Sequence, residues 1–263
     1  MGCGFIAPDR MALTRKQLTD AFRDLGVKGG DVLLVHSSYK SLGSVDGGPQ
    51  TVIDSLLAAL GQEGTLVVPT FNFDFCRGAP FDARDTPSRM GAITELVRTD
   101  PNSRRITHPI YSFAALGARA DECASIHNVS SYGSDSFFAK LREWDGKIMV
   151  IGLTYNDSMT FFHHIEETEG CDYRYMKEFT GEYTDMHGVT SRRTYTMLVR
   201  DLDRRVETAV DPMGELLERE GIIASRRIGA ATVRLMKANA VYEAAAREMR
   251  RDPKLLRRIP GEV

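Results

Sequence analysis

Two histidines and three glutamates crowd the stretch NDSMTFFHHIEETEG, residues 156–170, just after the apolar run KIMVIGL, residues 147–153. If the stretch is a helix capped by Asn156, Asp157 or Ser158, His163 precedes Glu166 by three residues and Glu167 by four, so either carboxylate can neighbour the imidazole on one face. A histidine held by a carboxylate suits general-base work, because its ordinary pKa lies near neutrality and the acid orients the ring. The same spacing also makes an ordinary ion pair on a helix surface. Adjacent His163 and His164 diverge around a helix, and HHIEE is not the HExxH of a zinc-binding helix, so no metal is expected.

A second group of polar residues follows the apolar run DVLLVH. His36 stands where that strand leaves the sheet, which is where α/β proteins commonly place ligands. Beyond it come Ser37, Ser38, Lys40 and Ser44, then Gly43, Gly47 and Gly48 just before a helix start. Glycines let backbone approach a ligand, and the free amides of a first helical turn attract an anion such as phosphate. An ordinary tight turn would use the same residues, and neither GxGxxG nor GxxxxGK[ST] is present. The pair HP at residues 108–109 offers one more imidazole, held extended or in a turn by the proline.

These residues need a scaffold, and hydrophobic periodicity predicts one. A helix over TRKQLTDAFRDLG, with Thr14 as cap, leads to the strand around residues 31–35. A helix from Pro49 carries Val52, Ile53, Leu56, Leu57 and Leu60 on one stripe, and a strand follows at residues 65–71. Strand, helix and strand in that order make a parallel crossover unit. Further helices are expected from residue 88, from residue 134 with Ser134 as cap, and from Lys237 to about Arg250. Strands are expected from residue 111 and over 147–153. Period-two alternation from Glu182 to Arg200 predicts an antiparallel pair at the sheet edge.

The chain of 263 residues carries 34 basic and 36 acidic residues, a formal charge of -2, so nucleic acid is not an expected partner. The arginines between residues 226 and 258 are interrupted by Glu243, Glu248 and Asp252 and read as a solvated helix face. No apolar run approaches a bilayer span, and MGCGFIAPDR has no apolar leader, so a soluble cytoplasmic protein is expected. Gly2 opens a poor myristoylation match, since residue 6 is Ile. Cys3, Cys76, Cys123 and Cys171 are too dispersed for a metal knuckle or redox pair. One domain spanning residues 1–263 is the simplest organisation.

Three ordered segments together resemble the aminoglycoside 3-N-acetyltransferase family: HSSYKSLGSVDGGPQTVIDSLLAALGQEGTLVVPTF, then TPSRMGAITELVR with RRITHPIYSFAALG, then GLTYNDSMTFFHHIEE. RRIGAATVRLMKANAVYEAA is a weaker echo of its C-terminal segment. The resemblance implies a three-layer α/β/α fold with a mostly parallel central sheet and an antiparallel addition, unlike the small GNAT acetyltransferase fold. It also implies acetyl-CoA as cosubstrate, a small-molecule amine as acceptor and a homodimer as a possible assembly. By this resemblance His163 and Glu166 form the catalytic pair, with Asp157 and His108 supporting it. Ser37, Ser38, Lys40, Gly43, Gly47 and Gly48 fall on the coenzyme side, and Thr160 on the acceptor side. Arg234 stays outside the catalytic set.

The acceptor is expected to be an aminoglycoside, acetylated on the 3-amino group of its 2-deoxystreptamine ring. Such a polycation calls for carboxylates, for which Asp74, Asp82, Asp85, Glu167, Glu169 and Asp172 are candidates. Arg77, Arg84, Arg174 and Lys177 lie in the same segments. They leave open a biosynthetic amino sugar or sugar nucleotide as acceptor, or more remotely a noncatalytic coenzyme- or sugar-binding protein.

Overall fold

The computed structural model describes residues 12–262, so Gly2 and Cys3 lie outside the described residues. Helix α1 (Arg15–Leu25) opens on a complete capping box between Thr14 and Gln17. Strand β1 (Val32–Ser37) follows, then α2 (Pro49–Leu60) with proline in its first turn, β2 (Thr65–Pro69) and the two-residue β3 (Phe81–Asp82). Next come α3 (Ala92–Thr99), β4 (Arg104–Ile106), β5 (Phe113–Gly117), α4 (Ala120–Ala124), α5 (Phe137–Glu143), β6 (Lys147–Ile151) and α6 (Phe161–Glu169). The chain continues through β7 (Arg174–Thr184), β8 (Thr190–Arg200), β9 (Glu207–Thr208) and α7 (Asp211–Arg219). It finishes with β10 (Ala224–Ile228), β11 (Ala231–Lys237), α8 (Ala238–Arg251) and β12 (Arg257–Arg258).

Seven strands form the main sheet in the order β10-β11-β6-β1-β2-β5-β4. β6, β1 and β2 are parallel at its centre, and β11 and β5 run against them on either side. The edge strands β10 and β4 reverse once more, so five of the seven strands share one direction. The expected mostly parallel sheet is thus mixed at its flanks. Period-two alternation sorts the side chains between two cores. Leu33 and Val35 point to the layer of α1, α2 and α3, while Val32 and Leu34 point to that of α5 through α8. Burial on both faces is why β1 reads as an unbroken apolar run.

Three expectations need correction. The antiparallel pair begins earlier, at Arg174, and sits in its own sheet in the order β3-β7-β8 instead of extending the main one. Its inward face explains this: Tyr183 stacks on Phe81 at 5.5 Å and Tyr195 meets Phe75 edge-on at 6.0 Å. α5 begins after Ser136, not Ser134, and α6 begins after Thr160, so Asn156, Asp157 and Ser158 precede the helix as a turn. Among the described residues no helix is long and apolar enough to cross a membrane.

Candidate active site

The parallel strands β1 and β6 are neighbours, with Ser37 opposite Ile151, so the chain segments leaving them emerge side by side. Ser38 N–H donates to Ile151 O at 2.8 Å and fastens the two exits together. After β6, residues 153–160 are held from outside. Asp211 accepts the amides of Tyr155 and Asn156 at 2.8 and 3.1 Å, and Asn156 Oδ1 accepts Val210 N–H at 2.6 Å. Arg234 donates to Leu153 O and to Glu218, which also accepts from Tyr155 Oη at 2.6 Å. Arg234 is therefore a positioning residue for this segment.

This clamping delivers α6 with His163 on the wall of a cleft of about 460 Å³. Phe73, Tyr111, Tyr132, Asn156 and Thr160 line it from the main body; Arg174 and Met197 to Arg200 line it from the small sheet. His163 Nδ1–H donates to Glu166 Oε2 at 2.6 Å, the spacing of three residues on a helix. Since an ionised carboxylate only accepts, Nε2 carries the lone pair.

Glu166 has no exposed side-chain surface, and such a charge survives only with partners. Tyr173 Oη donates to Oε1 at 2.8 Å, and the Arg174 guanidinium reaches Oε2 through Nε at 2.8 Å, a charge contact whose N–H points off that line. Burial alone would push the Glu166 carboxyl up; His163, Arg174 and Tyr173 together outweigh it and hold it below the ordinary value. Burial, helped by the Arg174 charge, pushes His163 below 6.5, against the pull of Glu166. A neutral imidazole with an ionised partner is the resting state of a general base.

On the other side of the 153–160 segment lies a recess of about 450 Å³, lined by Ser41, Gly152, Tyr155, Asp211 and Arg234 among others. The loop after β1 borders it. Gly43, Gly47 and Gly48 all have positive φ, and the N-terminus of α2 has no side-chain cap. Lys40 is exposed, and among the described residues it has no ion-pair partner. An uncapped helix start and an exposed ammonium in the same connecting segment are a setting for phosphate. Ser37 and Ser38 are half-buried at the strand exit.

Several residues singled out in the sequence stand elsewhere. His108 is buried with both ring nitrogens engaged: Nδ1 accepts the amides of Ile110 and Tyr111, and Nε2–H donates to Val129 O. It shapes the turn that leads to Tyr111, and burial lowers its pKa to about 3. Asp157 is exposed and accepts from Thr154 Oγ1 at 2.8 Å, away from the cleft. Glu167 accepts from Ser130 Oγ at 2.5 Å on another side of α6, and Asp74 is paired with Arg77 and Arg89. Of Thr160 and the six carboxylates expected around the acceptor, only Thr160 lines the cleft.

Tyr173 and Arg174 were not expected beside Glu166. Gly170, at φ 82°, turns the chain back after α6 and brings them onto the carboxylate. A buried acid followed closely by glycine, tyrosine and arginine was the available signal.

The family model for aminoglycoside 3-N-acetyltransferases matches residues 34–250. The aminoglycoside N(3)-acetyltransferase IX of Micromonospora chalcea is 30% identical over 268 aligned residues, spanning 89% of this chain and 92% of that protein. The crystal structure of aminoglycoside acetyltransferase AAC(3)-Xa superposes with a TM-score of 0.81 at 26% identity, covering 90% of this chain and 93% of that one. The binary complex of AAC-IIIb with CoASH gives 0.79 at 25% identity, covering 90% and 96%. The chain belongs to the aminoglycoside 3-N-acetyltransferase family.

Proposed function

We propose that this protein is an acetyl-CoA-dependent N-acetyltransferase that transfers the acetyl group directly to an amine of an aminoglycoside, the 3-amino group of the 2-deoxystreptamine ring. The observation that carries this reading is the pairing of His163 with the buried, ionised Glu166 on the wall of an open cleft. A thioester is already activated, so the protein has to align the two reactants and accept one proton. The amine nitrogen forms a bond to the acetyl carbon and the carbon–sulfur bond breaks. His163 Nε2 takes the proton from the nitrogen and returns it to the departing sulfur. Glu166 holds the ring through Nδ1–H and stabilises the imidazolium between those steps.

Support for the coenzyme side comes from the exposed Lys40 and the uncapped start of α2 at Gly47 and Gly48, which suit the phosphates of acetyl-CoA. The backbone at Ser37 and Ser38 is our choice for the oxyanion of the tetrahedral intermediate. AAC-IIIb, whose fold this chain shares, forms a binary complex with CoASH, which fits this donor. Because the small sheet supplies Met197 to Arg200 to the cleft, residues 1–263 are read as one catalytic unit. Since acetyl-CoA is an intracellular metabolite, we place the activity in the cytoplasm.

One observation favours a second acceptor. Among the described residues lining the cleft, Arg174 and Arg200 are the charged ones, and none is a carboxylate. That lining suits an amino sugar bearing an anionic group better than a polycation. Thiol release from acetyl-CoA, measured against 2-deoxystreptamine antibiotics and against anionic amino sugars including sugar nucleotides, tests both readings. Turnover with the antibiotics and an acetylated 3-amino group supports the first. Turnover with the anionic panel alone replaces it with the second, and no thiol release with either panel removes both.

A further inference from the structure

A cavity of about 830 Å³ lies away from His163, between the tip of the β7–β8 hairpin and the edge strand β4. Its charge is one-sided. Arg84 and Arg98 line one part, Arg104 and Arg105 belong to β4, and Arg193 comes from β8. His127 and His187 add two exposed imidazoles, and Asp185 is the one carboxylate lining it among the described residues. Arg84, Arg98 and Arg104 are steered by Asp82, Glu95 and Asp121, carboxylates that do not line the cavity. Arg193 lies over the ring of Tyr183 at 4.2 Å, and its nearest acid, Asp185, is 3.9 Å away.

Arg105 is the telling residue. It is 7% exposed, and among the described residues no carboxylate pairs with it. Its terminal nitrogens donate to Ala83 O, Thr86 O and Ser112 Oγ, all neutral acceptors, and Nε has no acceptor among the described residues. Burial, with the nearby Arg98 charge adding to it, lowers its pKa to about 10, against a weaker pull from Glu95 and Asp82, neither of which touches it. A buried cation without a counter-charge is costly, and packing it beside further cations raises that cost unless an anion shares the space. A concave recess, unlike a flat basic stripe, selects for a small ligand.

We propose that this recess is a binding site for a phosphorylated small molecule of nucleotide size, separate from the catalytic cleft. The two are distinct cavities: no residue lines both, and on β8 their nearest lining residues, Arg193 and Met197, are four positions apart, about 13 Å at ~3.3 Å each. Guanidinium forks suit phosphate oxygens, and their number here fits more than one phosphate group. The site goes beyond the acetyl-transfer reading and does not depend on it.

The test is calorimetric titration of the full chain with inorganic pyrophosphate, in the presence and absence of saturating acetyl-CoA. Stoichiometric binding that persists with acetyl-CoA is expected. In the double variant Arg104→Gln, Arg193→Gln, affinity should fall at least about tenfold, two lost charge-assisted contacts being worth more than 1.4 kcal/mol, while its thermal midpoint and basal thiol release stay at wild-type values. His187→Gln, at the exposed hairpin tip, gives the same reading with a smaller loss if the double variant folds poorly. Absence of pyrophosphate binding, its displacement by acetyl-CoA, or undiminished binding by both variants would overturn the proposal. No readout requires acetyl transfer, so failure of this site and failure of the proposed function are distinguishable.

Discussion

Gly152 and Ser41 meet where the exits of β6 and β1 cross: a Cβ placed on Gly152 would fall 1.6 Å from Ser41 Oγ and 2.5 Å from its Cβ. Gly152 also has φ 64°, a region that costs other L-residues roughly 1 kcal/mol. Gly152→Ala should therefore separate the two exits, lowering stability by about 1–3 kcal/mol and weakening acetyl-CoA saturation. Adding Ser41→Gly removes the clash and leaves the backbone strain, so it should recover part of both losses. Denaturant unfolding and the KM for acetyl-CoA measure this. Wild-type behaviour of Gly152→Ala would mean that the close approach has no bearing on the donor side.

The buried pair sets a kinetic expectation. His163→Gln should lower kcat about 10²–10⁴-fold with little change in the KM for either substrate, because a base acts on the proton and not on binding. Glu166→Gln keeps the shape but removes the charge that orients the ring and favours its protonated form, so kcat should fall there too. Single-turnover transfer at the wild-type rate in His163→Gln would remove the imidazole from its role.

Since His163 is held below 6.5, the acid limb of kcat/KM should have its midpoint below that value. Burial, with the Arg174 charge adding to it, lowers the ring's pKa, so Arg174→Gln should move the limb upward; Glu166→Gln should move it downward. A midpoint unmoved by either change would show that neither group is coupled to the titrating ring.

Three buried histidines and the partly buried His163 also link stability to pH. Burial holds His36 and His164 at about 4 and His108 at about 3, and His163 is lowered as well. With folded values depressed, their contribution is complete above 6.5, where the unfolded chain is also neutral, and is lost as pH falls towards the folded values. Each costs about 1.4 kcal/mol per pH unit across that window. Glu166, also depressed, adds a loss below about 4.5. Urea unfolding should give a lower free energy at pH 5.5 than at pH 7.5, and His164→Asn should reduce the slope by about one proton. Equal stability at the two pH values would contradict neutral burial of these rings.

Arg200 separates the two acceptor readings. It is exposed at the rim of the cleft. If the acceptor is a polycation, Arg200→Gln should lower its KM by removing a like charge; if it is anionic, the same change should raise KM severalfold and flatten its salt dependence. An unchanged KM for both classes would place the guanidinium outside the recognition surface.

Much of this was legible because it is local. The His163–Glu166 pair follows from three residues of helix, and β1, β2, β5 and β6 announce themselves as buried apolar runs. What escaped is decided by distant partners. β10 reads ASRRI, four of its five residues are exposed, and only pairing with β11 makes it a strand. The small sheet depends on Phe81 and Asp82 meeting Tyr183 and Thr184 about a hundred residues later. Asp74, Asp157 and Glu167 looked available until the fold gave each a neighbour: two arginines, Thr154 and Ser130. His108 likewise looked free, and the backbone of its own turn consumes it.

The cleft draws its two walls from different sheets, since His163 rides on an element anchored to the main sheet while Met197 through Arg200 belong to the hairpin. Apart from Arg174 and Arg200 at its base, side chains along that hairpin can therefore vary without disturbing the imidazole or the loop that carries Lys40. A lineage built this way is free to change what it modifies while keeping how it does so.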